Sequence, residues 1–382
     1  MIALLEPIQR LAKRGHKITL LAFDTRDAQT WSSLELYCRI ITVPHDTTNR
    51  VIPAALNVLL PIPYVISKYK SSALATQMEK LLDTESFDLV HLEFLYMGHY
   101  LSIPKARDIP VLLRQQNVES VIWEKLGREG SGLLRLFAKM QVPKVRRFET
   151  SMCEQADACL AITENDARTL KGMNPRINTI VLPSGVDLEF FGPPNDVSEE
   201  SCSLVYIGSM DYFPNADAVL WFTQEVLPLI KSRFPKLKLT IVGRNPPLSV
   251  LQLSNGEDII VTGTVDDVRE YMAKATVFIV PLRVGGGIRI KLLQAMAMGK
   301  ATVSTSTGAE GIDVADGRDI LLADTASDFS RCVIDLLLDE NKRRVIGQNA
   351  RSMVEKSYGW DAIISRTEEI YSRFIDRKST AR

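Results

Sequence analysis

The sequence predicts an α/β protein of two doubly wound parallel sheets, on three observations. Short apolar runs such as Asp88-Leu89-Val90-His91-Leu92-Glu93-Phe94 are too continuous for a sheet with one wet face and suit parallel strands buried on both faces. Strand-like and helix-like stretches alternate along nearly the whole chain, the signature of strand–helix–strand units. The rhythm runs twice, on either side of Pro183-Ser184-Gly185-Val186-Asp187 and the Pro/Gly-rich Phe191–Asn195. A length of 382 residues suits two domains.

The elements follow in order. Glu6–Arg14 reads as a helix with Pro7 tolerated in its first turn, and Gly15 stops it. Strands are expected at 17–23, 38–43, 88–94, 110–115, 158–163 and 178–182. A domain of this class ordinarily opens with a strand and a glycine-rich turn before its first helix, so the first strand is expected to be missing, with a truncated N-terminus favoured over a rearranged first domain. The strands at 17–23 and 88–94 would then lack a shared neighbour. The first domain is expected over 1–184 and the second over 185–358. Strands at 203–208, 237–243, 259–264, 276–282, 301–305 and 319–323 belong to the second, with helices at 216–233, 288–298, 325–338 and 340–356. A last helix within 359–375 is expected to pack back on the first domain, with 375–382 frayed.

Composition narrows the function. Lys plus Arg and Asp plus Glu are 46 each, so no basic excess points to nucleic acid. No run of about 18 apolar residues, the length of a membrane span, is present. The start lacks the charged region and cleavage site of a signal peptide. Cys38, Cys153, Cys159, Cys202 and Cys332 form no CxxC pair and read as reduced thiols of a cytoplasmic protein. His16, His45, His91 and His99 lack metal-ligand spacing, no Asp-x-Asp pair is present, and neither a P-loop nor a GxSxG elbow occurs. No metal site and no cofactor are expected.

The chemistry-bearing stretch is Val280 to Lys300: a strand, the turn Gly285-Gly286-Gly287, then a helix. Glycines let backbone amides approach an anion, and the helix start favours negative charge. Arg289 and Lys291, placed in the first turn, oppose the helix dipole unless an anion is shared. A tight turn without a ligand would use the same glycines; the two cations favour phosphate.

Tyr206 to Asp217, Ile241 to Pro247, Val261 to Val265, Gly285 to Met298 and Ser304 to Gly311, in this order and spacing, resemble the retaining glycosyltransferases of family 4. The subgroup linked to bacterial exopolysaccharide assembly is the nearest. Arg114 to Glu119 and Pro183 to Asp187 extend the likeness into the first half. The resemblance implies the GT-B fold, with two Rossmann-like domains facing across a cleft. It also implies transfer of a hexose from a nucleoside-diphosphate sugar to a glycan or lipid-linked acceptor, without a metal. Arg289, Lys291 and Gln294 would be catalytic. Donor binding would fall to Gly208, Ser209, Asn215, Arg244, Thr262, Gly263, Thr264, Val265, Gly285, Gly286, Gly287 and Ile288. The nucleobase would lie against 262–265 and the diphosphate on 285–288.

The sequence departs from the family in three respects. Its two glutamates fall on Gly286 and Gln294; its phosphate-clamping Arg and Lys fall on Ser209 and the Pro214-Asn215 region; its first-domain His falls on Gln116. A nucleotide-sugar epimerase and a non-catalytic or decayed nucleotide-sugar-binding protein are therefore alternatives. On the acceptor side His91 and Glu93 share a strand face and point either into a site or to solvent. Gln116, Asn117 and Glu119 match the family motif, although Asn117 also reads as a helix cap. The uncharged stretch Val51–Ser67, followed by Lys68 and Lys70, fits a buried loop better than a peripheral membrane contact at the inner face. Tyr212, Phe213 and Trp221 read as core, or for the first two as a loop platform.

Overall fold

The computed structural model describes residues 2–24, 28–50, 53, 56–57, 60–129, 132–193, 197–285 and 287–380. The chain forms two compact units, Met1–Pro183 with Ile364–Arg382, and Ser184–Ile363. In the first unit, β1 (Thr19–Phe23) and β2 (Arg39–Val43) form a two-stranded parallel sheet. A separate parallel sheet contains β3 (Val90–Glu93), β4 (Val111–Gln115), β5 (Ala158–Ala161) and β6 (Thr179–Val181), in that order. Among the described residues β1 and β3 are joined by no common strand. They still share a core, because Leu21 and Phe23 pack against a cluster containing Leu92, Val111 and Leu113.

In the second unit six parallel strands take the order β12-β11-β10-β7-β8-β9. They are β7 (Ser203–Ile207), β8 (Lys238–Val242), β9 (Ile259–Gly263), β10 (Val277–Val280), β11 (Thr302–Ser304) and β12 (Leu321–Leu322). β7, β10 and β11 are buried along their whole length, β10 as a continuous apolar run and β11 with its Thr302 and Ser304 hydroxyls donating to the Lys300 and Val280 carbonyls. The helix expected over 216–233 is broken: Phe213–Trp221 and Leu227–Lys231 are α-helical, and Phe222–Val226 between them is π-helical. Pro228 explains the break, since it has no N–H to give and its ring crowds the carbonyl a turn earlier. The last helix, Trp360–Thr380, carries Glu368, which accepts from Arg14 Nη1 at 2.7 Å, and Tyr371, which meets His91.

Candidate active site

Strand order in the second unit reverses at β7, whose neighbours are β8 and β10. Open α/β sheets bind ligands at such a switch, beyond the carboxyl ends of the strands. Three loops meet there: Gly208-Ser209 after β7, Gly243-Arg244 after β8, and the glycine turn after β10. Two glycines are dictated by space. A Cβ on Gly208 would come 2.7 Å from Lys291 Nζ and 2.9 Å from the Asn215 side chain. One on Gly285, at φ +141°, would come 2.5 Å from Arg289 Nη2.

Lys291 is the hub. Its Nζ donates to Tyr206 Oη at 2.9 Å and Asn215 Oδ1 at 2.8 Å, and it sits 4.4 Å from the centre of the Tyr206 ring. Tyr206 Oη donates to Asn215 Oδ1 at 2.7 Å, and Asn215 Nδ2 donates to the Ser209 carbonyl at 2.8 Å. Burial, aided by the charge of Arg289, brings the Lys291 ammonium down to about 7. Its hydrogen-bond partners are both neutral, so an anion would complete its surroundings.

Arg289 does not lie in the first turn as expected. It occupies the cap position before the helix Ile290–Ala297, with φ −92° and ψ 88°, because the glycine turn ends only there. Its Nη1 donates to the Gly287 carbonyl at 2.8 Å and its Nη2 to that of Thr307 at 3.5 Å. Lys291 stays in the first turn. Gln294 is half-buried one turn further on, and its amide has no hydrogen-bond partner among the described residues.

Around this hub, Arg244 Nε donates to Ser209 Oγ at 2.7 Å, and that hydroxyl donates to Asp211 at 2.6 Å. Ile288 and Val265 pack on the core, Gly287 has φ 76° and Gly263 φ 72°. Thr262 Oγ1 donates to the Gly263 carbonyl at 3.0 Å, and Thr264 is exposed. Gly286 lies outside the described residues. Tyr212 and Phe213 are 54% and 68% exposed, whereas Trp221 packs edge-on against Phe329 at 6.0 Å.

Sequence reasoning missed Tyr206. The signal was there: a tyrosine among aliphatic residues in a fully buried strand must find a hydroxyl partner. It also left out Glu310, whose charge acts on Arg289.

The first unit gathers a second cluster. His91 and Glu93 share a face of β3, with His91 Nε2 3.3 Å from Glu93 Oε2, and His91 Nδ1 contacts Tyr371 Oη at 2.7 Å. The Gln116 amide donates to Glu93 Oε1, and Arg114 Nε lies 3.9 Å from the same oxygen. Burial pushes the Glu93 carboxyl up, but His91, Arg114 and Gln116 outweigh it and hold the group below its ordinary range. Beside it Phe94, at φ 72°, stacks on Tyr96 (5.1 Å), which stacks on Tyr69 (4.0 Å).

Asn117 is exposed and caps nothing; the helix Glu119–Glu129 is capped instead by buried Glu149. Glu149 accepts from the backbone N–H of Glu119 (2.8 Å) and Ser120 (3.1 Å) and from Ser120 Oγ (2.5 Å), and burial raises its carboxyl to about 7. Burial also raises the Glu119 carboxyl. Among the described residues no group of three or more His, Cys, Asp or Glu is arranged to hold a metal ion.

Residues 4–190 match the model of Glycosyltransferase Family 4, and residues 201–339 match that of Glycosyl transferases group 1. An uncharacterized 44.6 kDa protein in the cps region of Klebsiella pneumoniae is 22% identical over 94% of this chain and 92% of its own length. D-inositol 3-phosphate glycosyltransferase 2 of Catenulispora acidiphila is 23% identical over 82% of this chain and 77% of its own. Among solved structures, sucrose-phosphate synthase of Thermosynechococcus elongatus superposes with a TM-score of 0.70 at 16% identity, covering 98% of this chain and 93% of that one. An Anabaena protein solved with UDP and glucose superposes at 0.66 with 12% identity, covering 97% and 95%. Two parallel-sheet units with these likenesses define a protein of the GT-B type. The chain is an enzyme, a glycosyltransferase.

Proposed function

We propose that the enzyme transfers a hexose from a nucleoside-diphosphate sugar to a glycan or lipid-linked acceptor in polysaccharide assembly, with retention at the anomeric carbon and without metal or cofactor. The observation that carries this reading is Lys291, a buried amine with only neutral partners, beside Arg289 at the end of a glycine turn. The diphosphate would rest on 285–288 with Arg289 and Lys291, and Arg244 and Ser209 would border it. Gln294 would meet a ribose hydroxyl, and the base would lie along 262–265. As the acceptor oxygen bonds to the anomeric carbon, the carbon–oxygen bond to the diphosphate breaks and the acceptor proton passes to the leaving phosphate. The two cations then act where negative charge develops. On the acceptor side Glu93, held by His91 and Gln116, would orient the incoming hydroxyl. Asn117 and Glu119 border that end of the sheet, and the Phe94–Tyr96–Tyr69 stack offers flat faces to a sugar.

The test is a thermal-shift panel with UDP, GDP and ADP, each with and without magnesium, on the wild type and Arg289→Ala. UDP comes first, because the Anabaena neighbour was solved with it. A nucleotide at 100 times its dissociation constant stabilises the fold by about 2.7 kcal/mol. A magnesium-independent shift, lost in Arg289→Ala, is expected; no shift with any nucleotide on folded protein would overturn the donor site. The uncharged Gln294 favours a second reading, a nucleotide-sugar binder without turnover, which predicts the same shift and no transfer.

A further inference from the structure

Among the described residues no helix is long and apolar enough to cross a membrane, and the last one, Trp360–Thr380, belongs to the first unit from Ile364 onward. Thr367, Ile370 and Phe374 recur at helical spacing and are buried. Ser365 and Glu368 anchor another edge of the helix: Arg14 Nη1 donates to Ser365 Oγ at 3.0 Å and to Glu368 at 2.7 Å, and His16 Nε2 lies 2.9 Å from the same carboxylate. Between these two rows Tyr371 brings its hydroxyl to 2.7 Å from His91 Nδ1, with the two rings edge-on at 5.9 Å.

That contact is the one well-formed hydrogen bond of the His91 side chain among the described residues. On the other side of the ring Nε2 lies 3.3 Å from Glu93 Oε2, yet it is buried and makes no aligned hydrogen bond. Arg114 Nε, 3.9 Å from Glu93 Oε1, is buried and unpaired as well. Donors thus surround the carboxylate without gripping it, and an imidazole held so loosely on one side takes its orientation from the other. The strand end is strained too. Phe94, next to Glu93, takes φ 72° and ψ 146°, which few side chains adopt, while its N–H donates to the Arg114 carbonyl at 2.9 Å.

The proton on the ring can be placed. Glu93, held below its ordinary range, is ionised and only accepts, so the proton of a neutral ring belongs on Nε2. Nδ1 is then bare, and the phenol must be the donor. Burial pushes the Tyr371 phenol up, so it keeps its proton, and among the described residues that hydroxyl has no other hydrogen-bond partner. Without it the ring could turn over or move its proton, and a bare nitrogen would then face the carboxylate.

We propose that Tyr371 is a positioning residue for transfer: its hydroxyl donates to His91 Nδ1, fixes the imidazole as the Nε2–H tautomer, and so keeps a donor aimed at the Glu93 carboxylate that orients the acceptor hydroxyl. This rests on the acceptor-side reading of Glu93. The action of Tyr371 runs through His91 alone.

The test begins with nitrogen NMR of the full chain carrying 15N-labelled histidine, at a pH where the His91 ring is neutral, the signal being assigned with His91→Gln. The wild type should show one tautomer, protonated on Nε2. Tyr371→Phe keeps the ring and drops only the hydroxyl, and it should show a mixture or the other tautomer. Release of UDP from UDP-glucose, with water in place of the acceptor hydroxyl, reads the consequence. Tyr371→Phe should slow it about tenfold, the worth of one hydrogen bond, and leave the UDP thermal shift unchanged. In a His91→Gln background the same change should slow it no further. An Nδ1–H tautomer in the wild type, a tautomer unmoved by Tyr371→Phe, or a rate loss that adds fully to that of His91→Gln would each overturn the inference. So would an unchanged rate in Tyr371→Phe where Glu93→Gln slows release. Equal release by the wild type and Glu93→Gln would instead overturn the acceptor-side reading, and the ring spectrum would still decide the tautomer that Tyr371 imposes.

Discussion

If Lys291 enters the site uncharged near neutral pH and must be protonated to hold a diphosphate, donor affinity will fall as pH rises. With the amine at about 7, half of the free enzyme carries the proton at that pH, and each further pH unit removes nearly tenfold. Between pH 7 and 9 the dissociation constant for UDP should rise about 50-fold, provided the bound phosphate keeps the amine charged. Isothermal titration in buffers of different ionisation enthalpy should show proton uptake across that window. Lys291→Met should bind weakly and show no such slope. The same buried charge acts on stability without ligand. From about pH 7 to the ordinary lysine value of 10.5, the unfolded chain binds a proton that the folded chain does not, so stability rises with pH across this window. Below it the penalty is fully present, on the order of 5 kcal/mol. Lys291→Met removes that penalty and loses two hydrogen bonds worth about 1 kcal/mol each, leaving Tyr206 bonded to Asn215. In urea titrations the variant should therefore be the more stable at pH 6 and the less stable at pH 10. Parallel wild-type and variant profiles, with pH-independent UDP binding, would refute the reasoning.

Three further perturbations follow. Gly208→Ala drives a methyl against Lys291 Nζ and the Asn215 amide; it should cost about 1–3 kcal/mol and abolish the UDP thermal shift. Glu149 is raised by burial from its ordinary 4.5 to about 7, so between those values the folded state holds a proton that the unfolded state has lost. Stability should fall by about 3 kcal/mol as pH rises through that window, and Glu149→Gln should flatten the slope in denaturant titrations. Glu93→Gln should lower the transfer rate about 100-fold while leaving the UDP dissociation constant unchanged, which steady-state kinetics and calorimetry separate.

The parallel strands were legible because burial on both faces writes itself as continuous apolar runs: Ser203–Ile207 and Val277–Val280 could hardly be anything else. Their ends were less so, since β12 keeps only Leu321–Leu322 of the expected 319–323. The glycine turn was legible because a backbone such as that of Gly285, at φ +141°, strains any side chain, which local sequence records. Lys291 was visible as a cation at a helix start, but its state was not. That state depends on Tyr206, 85 positions away, and Asn215, 76 away, whose partnership exists only once β7 lies beside the helix. The capping of Glu119–Glu129 failed for the same reason: Asn117 was the local candidate, and Glu149, 30 positions on, took the role.

The departures from the family motif acquire a physical sense around Lys291. A carboxylate in place of Gly286 or Gln294 would bring negative charge to the turn that carries Arg289 and Lys291. It would favour a charged Lys291 before any donor arrived. With glycine and glutamine there, the amine rests on a phenol and an amide, and its proton would be left for a phosphate to draw in. Gln294→Glu tests this directly. It should raise the pH at which UDP binding begins to weaken, because a nearby anion favours the ammonium form. It should also weaken UDP binding near pH 7, where the new charge repels the diphosphate. An unchanged pH profile with tighter binding would mean that residue 294 meets only ribose hydroxyls, and that Tyr206 and Asn215 alone set the state of Lys291.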